Sequence, residues 1–155
     1  MSEGIIVLIV EDGNEYLENL SRFVEGPDYL QAHNAVEAVE ILKQTKVDLV
    51  YMDMRFDRIE LKDLQGDHAE ATRRHNGDPQ RGWRYLQNNQ GLYVLNHLKE
   101  SGYGHVPTVL SYDFSREQRR FEFLQKTHPH IAWVSDSVTP DGIRTVMAQL
   151  LVRGE

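Results

Sequence analysis

The stretch Val47-Asp48-Leu49-Val50-Tyr51-Met52-Asp53 decides how the rest of this sequence is interpreted. Its apolar residues form a run that ends on a carboxylate, which is typical of a buried parallel strand whose C-terminal tip carries chemistry. In open α/β sheets, ligands bind outside the carboxyl ends of the strands. We therefore predict that Asp53 lies at a functional site rather than in the core.

A second apolar run has the same form as the first. Ile5-Ile6-Val7-Leu8-Ile9-Val10 is rich in β-branched residues, as central strands are, and it is followed directly by Glu11-Asp12. Because the carboxyl ends of parallel strands share one edge of a sheet, we expect three carboxylates to meet there: those of Glu11, Asp12 and Asp53.

Strands and helices alternate along most of the chain. The predicted strands are 5–10, 30–32, 47–53, 106–112 and 131–134, and the predicted helices begin near Asn14, Ala35, Gly91, Ser115 and Thr139. Asn14 and Ser115 are expected to cap their helices, and Thr139 precedes a proline, as is common at helix starts. Short links between strands and helices predict right-handed crossovers and a parallel sheet. The sequence thus predicts five strands and five helices in a single α/β domain, 1–155.

The alternation is interrupted by an insertion at 55–90, between the third strand and the third helix. It holds seven Lys or Arg and six Asp or Glu, a balance that argues against a polyelectrolyte arm. Gly77-Asp78-Pro79 is interpreted as a breaker, and 67–75 as a short helix. A structureless loop of this length is uncommon unless it is functional or mobile.

Composition limits the classes of function. A net charge of −7 argues against a general affinity for nucleic acid, which needs a basic face. No apolar run has the length of a membrane span, and the early first strand leaves no room for a signal peptide. The absence of cysteine excludes disulfides and thiol chemistry. We expect a cytoplasmic protein that binds neither nucleic acid nor membrane.

The sequence resembles the receiver domain of response regulators in two-component signalling. Four features carry the resemblance: Glu11-Asp12 ends strand one, Asp53 ends strand three, Ser111 ends strand four, and Trp133 takes the place of an aromatic usual in strand five. The resemblance implies a flavodoxin-like, doubly wound sheet with strand order 2-1-3-4-5. It also implies that Asp53 accepts a phosphoryl group in the presence of Mg²⁺.

The same resemblance implies roles for individual residues. The metal would be held by Asp12 and Asp53 directly, by the backbone carbonyl of Arg55, and by Glu11 partly through water. Ser111 would contact the phosphoryl group, and Trp133 would be the switch aromatic. A hard cation on oxygen ligands is physically sensible here, because a phosphoryl group that approaches a carboxylate brings like charges together.

The sequence departs from the receiver pattern in three ways. Counted without a gap from Trp133, the position of the family's strand-five lysine holds Asp136, and that of the following proline holds Ser137. The residue after Ser111, usually small, is Tyr112. The third departure is the insertion, which leaves the sheet directly beside Asp53. We expect it either to cover the site as a lid or to supply a substitute cation. The candidate cations are Arg55, Arg58, Lys62 and Arg84.

Three functions fit these features. The first is a stand-alone receiver-like domain, not an enzyme, that takes its phosphoryl group from a sensor histidine kinase or phosphotransfer protein. It would act on an unknown target protein through helix four, strand five and helix five of the basic fold. The second is a degenerate receiver that only binds other proteins. The third is a Mg²⁺-dependent phosphohydrolase with the insertion as its cap, although Arg55 stands where the haloacid-dehalogenase-like family has a second aspartate.

Overall fold

The computed structural model describes residues 4–153 of the predicted domain. Its centre is a five-stranded sheet in the order β2-β1-β3-β4-β5, in which every neighbouring pair is parallel. The strands are β1 (Ile6–Val10), β2 (Asp28–Ala32), β3 (Leu49–Asp53), β4 (Thr108–Ser111) and β5 (Ile131–Val134). The predicted fold class and strand order are therefore confirmed.

The described residues form seven α-helices rather than the predicted five. They are α1 (Glu15–Phe23), α2 (Ala35–Gln44), α3 (His68–Arg74), α4 (Pro79–Asn88), α5 (Gln90–Leu98), α6 (Gln118–Thr127) and α7 (Pro140–Arg153). The two additional helices lie within the insertion. The short helix expected at 67–75 corresponds to α3, whereas α4 was missed. Helix α4 begins directly after Asp78, whose side chain accepts hydrogen bonds from the backbone N–H groups of Gln80 and Arg81. From the sequence, Gly77-Asp78-Pro79 is interpreted as a breaker, so this helix start is not predicted.

Both faces of the sheet are covered by helices, which explains why its strands are apolar almost throughout. In β1, Leu8 and Val10 face a core shared with α2 and α5, while Val7 and Ile9 face a second core shared with α1 and α7. All four of these side chains are fully buried. The sheet is thus fixed between two helical layers, and its outer strands β2 and β5 are more exposed than its three central strands.

Two predicted helix starts have different outcomes. Thr139 precedes α7, and its hydroxyl accepts a hydrogen bond from the backbone of Gly142 at 3.0 Å. The expected cap at Ser115 was wrong, because α6 begins only at Gln118. The backbone N–H of Ser115 instead donates to the carboxylate of Asp113 at 2.9 Å, which tightens the loop after β4.

The insertion is attached to the core by hydrogen bonds at the start of α5. The side chain of Gln90 is fully buried; its Oε1 accepts from the backbone N–H of Gln65 at 2.7 Å, and its Nε2 donates to the carbonyls of Gln65 and Leu86. Phe56 is also fully buried, and its N–H donates to the carbonyl of Gln87 at 3.0 Å. The insertion therefore folds against α5 as part of the domain.

Replacing Gln90 with leucine is expected to lower the free energy of unfolding by about 2 kcal/mol, because the backbone groups of Gln65 would lose their partner. Urea denaturation followed by circular dichroism measures the change. The matched control is Gln80→Leu on the exposed side of α4, where we expect less than about 0.5 kcal/mol. Equal losses in the two variants would show that the contacts of Gln90 add nothing net.

Candidate functional site

The strand ends place several of the predicted site residues in one cavity, which Glu11 and Trp133 do not line. Asp53 is the last residue of β3 and pairs in register with Ser111, the last residue of β4. An open cavity of about 550 Å³ lies at this edge, and its wall includes Asp12, Asp53 and Ser111. Asp136, which stands at the position of the family's lysine, lines the same cavity. Four of the residues singled out from the sequence therefore meet here.

The carboxyl of Asp53 is in an unfavourable place for a negative charge. Burial raises its pKa to about 7, and the neighbouring carboxylates of Glu11 and Asp12 act in the same direction. Hydrogen bonds from the backbone of Arg55 and Met54 lower the pKa and only partly compensate. Asp53 is thus only partly ionised near neutral pH, and a cation beside it would favour the ionised form.

Glu11 has a structural role that the sequence did not indicate. Asn14 occupies the N-cap position of α1, but the bond to the first turn comes from Glu11, whose Oε1 accepts from the backbone of Tyr16 at 2.9 Å. The side chain is nearly inaccessible, and burial raises its pKa. Glu11 therefore fixes the start of α1 beside the site. Its role as a metal ligand through water stays a prediction.

Asp12 is in contact with the insertion through Arg58. One carboxylate oxygen of Asp12 accepts from the backbone N–H of Arg58, and the other lies 3.9 Å from the Arg58 guanidinium. The same guanidinium lies 2.8 Å from the carboxylate of Glu15 at the start of α1. The insertion thus brings a positive charge to the edge of the acidic cavity.

The other three candidate cations, Arg55, Lys62 and Arg84, differ in their positions relative to the cavity. Arg55 also lines the cavity, whereas Lys62 pairs with Glu60 at 3.4 Å on the surface. Arg84 belongs to α4, and among residues 4–153 the cavity wall includes no residue of α3 or α4. The two additional helices therefore do not form a lid over this cavity.

Two tyrosines that sequence reasoning missed surround Ser111. The Ser111 hydroxyl is hydrogen-bonded to that of Tyr16 at 2.8 Å, and the Tyr16 ring meets Tyr51 edge to face at 5.4 Å between centroids. Burial raises the pKa of both phenols, that of Tyr51 to about 12, so they stay protonated. One signal was available: Tyr51 lies two residues before Asp53 and so on the same side of the strand.

Tyr112, the large residue that follows Ser111, is held toward α6. Its hydroxyl donates to Glu117, and the Arg120 guanidinium lies 5.7 Å from the centre of its ring. Arg120 also donates to Glu117 at 2.9 Å and to the side chain of Asn89 at 2.6 Å, at the junction of α4 and α5. The ring therefore forms part of the cavity wall and links the β4–α6 loop to the insertion.

Trp133 is partly buried in β5 and packs against the core on the α5 side of the sheet. Its ring meets that of Phe114 edge to face, with 6.2 Å between centroids. This position is compatible with simple packing as well as with a switch. Its switch role remains a prediction.

Within residues 4–153, no three His, Cys, Asp or Glu side chains are grouped closely enough to hold a metal by themselves. No helix in the same range has the length and apolar character needed to cross a membrane. Any metal at this edge would therefore need backbone or water oxygens in addition to Asp12 and Asp53.

Comparison with known proteins gives structural matches alone. No protein-family model and no curated protein sequence matches the chain. The Francisella response regulator 1452 receiver domain has 13% sequence identity and a TM-score of 0.63, covering 98% of this chain and all of that one. A response regulator receiver domain protein from Clostridium thermocellum has 14% identity and a TM-score of 0.63, covering 96% of this chain and 95% of that one.

The receiver domain of NtrX from Brucella abortus is similar at 14% identity with a TM-score of 0.64, covering 94% of this chain and 98% of that one. Identities this low support a conclusion about the fold and not about activity. The parallel five-stranded sheet, its strand order and these neighbours agree with each other. This chain has the fold of response-regulator receiver domains.

Proposed function

We propose that this chain is a receiver-type signalling domain that accepts a phosphoryl group on Asp53. The observation that carries the proposal is the register pairing of Asp53 with Ser111 at the edge of the sheet, inside a cavity that also holds Asp12. A nucleophilic carboxylate, a hydroxyl donor and a second carboxylate stand there together. The fold of the structural neighbours supports the same role.

The reaction needs one nucleophile and one donor. A carboxylate oxygen of Asp53 attacks the phosphorus of the donor, a P–O bond forms, and the bond from phosphorus to the leaving group breaks. With phosphoramidate, the leaving nitrogen is already protonated and departs as ammonia. The Asp53 carboxyl must be ionised to attack, and burial works against that form.

The residues at the site fit Mg²⁺. Asp12, Asp53 and the Arg55 carbonyl offer a set of hard oxygen donors, and Mg²⁺ is usually bound by one or two carboxylates with water and phosphate oxygens completing the shell. When bound, the ion would supply positive charge beside the phosphoryl group. Burial, together with the neighbouring carboxylates of Glu11 and Asp12, raises the pKa of Asp53, and this is an electrostatic reason to expect such an ion.

We further propose that Ser111 contacts the phosphoryl group and that a target protein docks on a separate surface. The Ser111 hydroxyl, now bonded to Tyr16, is placed to donate to a phosphoryl oxygen on its register partner Asp53. We place the docking surface for a target protein on α6, β5 and α7. The phosphoryl group would come from a sensor histidine kinase or a phosphotransfer protein, and the domain would act as a switch in a phosphorelay rather than as an enzyme.

A second candidate is a degenerate receiver that only binds other proteins. The position of Asp136 favours it, because this carboxylate adds negative charge to the cavity that the phosphoryl group would enter. The phosphohydrolase has less support. Its cap would be the insertion, but the cavity wall includes no described residue of α3 or α4.

Intact mass after incubation with Mg²⁺ and phosphoramidate tests the proposal. We expect one added phosphoryl group on the wild type, and none on Asp53→Asn or in the presence of a chelator. Unmodified wild type, with cognate kinase also failing, would favour the degenerate receiver. An adduct that persists in Asp53→Asn would place the acceptor elsewhere.

A further inference from the structure

We propose that Arg58, from the insertion, supplies the positive charge that the strand-five position does not provide. Its guanidinium would leave Glu15 and bind the phosphoryl oxygens on Asp53. This inference rests on the proposed function and adds to it, because it names the group that compensates for Asp136. Of the four predicted cations, Arg55 and Arg58 line the cavity, and the contacts of Arg58 with Asp12 and Glu15 favour Arg58.

The need for a cation follows from the charges around the cavity. Five carboxylates line it, those of Asp12, Asp53, Asp57, Asp113 and Asp136, and the cationic side chains among its lining residues are Arg55 and Arg58. Phosphorylation replaces the single charge of the Asp53 carboxylate with about two charges on the acyl phosphate, so this set gains about one negative charge. Even with Mg²⁺ beside Asp53, the other carboxylates would repel the phosphoryl group, and an additional cation would stabilise the product state.

The backbone of Arg58 is anchored at the site, while its side chain is exposed. Its N–H donates to the carboxylate of Asp12, so the residue is anchored at the mouth of the cavity. The guanidinium is paired with Glu15, but the side chains are 58% and 57% exposed, respectively. Exposed ion pairs contribute little to stability. A phosphoryl group would therefore compete well for this guanidinium, and two of its N–H groups can bind two phosphoryl oxygens at once.

Gly13 provides the space in which the guanidinium lies. A Cβ atom on Gly13 would be 1.9 Å from Nη2 of Arg58 and 2.6 Å from its Cζ. Any larger residue would displace the guanidinium from the acidic loop. Glycine at this position, directly after Glu11-Asp12, therefore allows an arginine from a distant segment to reach this loop.

The experiment compares rates of phosphoryl transfer from phosphoramidate with Mg²⁺, followed by intact mass. We expect Arg58→Gln to slow the reaction by at least about tenfold, and Arg58→Lys to recover part of the rate. Lys62→Gln is the matched control, since Lys62 is an exposed cation of the same insertion that pairs with Glu60, and it should react at the wild-type rate.

A rescue variant separates a direct charge effect from a structural one. Asp136→Lys in the Arg58→Gln background should restore most of the lost rate, because it returns a cation to the same cavity. Arg58→Gln at the wild-type rate, or no recovery in the double variant, would overturn the role of Arg58 while leaving Asp53 phosphorylation standing. A wild type that takes up no phosphoryl group would overturn both proposals.

Discussion

Replacing Gly91 with alanine is expected to lower the free energy of unfolding by about 3 kcal/mol, the upper part of the usual range for overpacking. Gly91 is the second residue of α5, and a Cβ there would lie 2.3 Å from the carbonyl oxygen of Asp53 and 2.9 Å from the Cα of Met54. Both atoms belong to the backbone, so no rotamer change relieves the clash. Helix α5 would have to shift away from β3.

The loss exceeds the gain of about 1 kcal/mol that alanine brings to a helix. Gly104→Ala is the control, because Gly104 has a φ of −63° and its nearest neighbour is the side chain of Lys99. Urea titration of both variants should show a lower midpoint only for Gly91→Ala. If the two glycine variants were equally stable, the close packing of α5 on the Asp53 carbonyl would be refuted.

Part of the fold could be predicted from the sequence because buried strands have a recognisable pattern. Buried parallel strands give long apolar runs, and 5–10 and 47–53 were found for that reason. Because carboxyl ends share an edge, Glu11, Asp12 and Asp53 could be grouped from the sequence, and the resemblance to receiver domains added Ser111. The structure places Asp12, Asp53 and Ser111 in one cavity that Glu11 does not line. Strand ends are local features of a sequence, so the acidic site was accessible to sequence analysis.

The second helix of the insertion was missed for a different reason. Asp78-Pro79 is a cap followed by proline at the first helical position, the same signal that correctly identified the start of α7 at Thr139-Pro140. The preceding residue, Gly77, favours a turn, so the segment was predicted to be a breaker and not a helix start. In α4 only Gly82 and Leu86 are buried, so the apolar pattern was too sparse to outweigh that turn signal.

The contacts that complete the site were beyond sequence reasoning. Ser111 and Tyr16 are 95 residues apart, and Arg58 and Glu15 are 43 residues apart. Such pairs depend on how helices and loops dock on the sheet, and spacing along the chain does not encode that. From the sequence, Arg58 is one of four candidate cations. Its guanidinium lies beside Gly13 only in the folded chain, so the sequence does not distinguish it from the other three.

Above pH 7 and in the presence of a chelator, the Asp53→Asn variant is expected to have a free energy of unfolding about 2 kcal/mol higher than that of the wild type. The Asp53 carboxyl has a pKa near 7 in the folded protein and an ordinary value of 3.8, so folding takes up a proton between these pH values. The contribution of Asp53 to wild-type stability therefore falls as pH rises from about 4 to about 7. Full burial of the charge would cost about 4 kcal/mol, and partial access of water to the cavity reduces this.

Urea titrations at a series of pH values measure the advantage of the asparagine variant, which should be small at pH 4 and grow to its full size near neutral pH. Asp113→Asn serves as control on the same rim, because hydrogen bonds from Ser115 lower the pKa of Asp113 and its removal should bring no gain. Added Mg²⁺ should stabilise the wild type and narrow its gap to Asp53→Asn, since only the wild type keeps both carboxylates. A constant gap across the pH range would mean that Asp53 ionises in the folded protein as it does in water. The acidic edge would then need no metal ion to hold that charge.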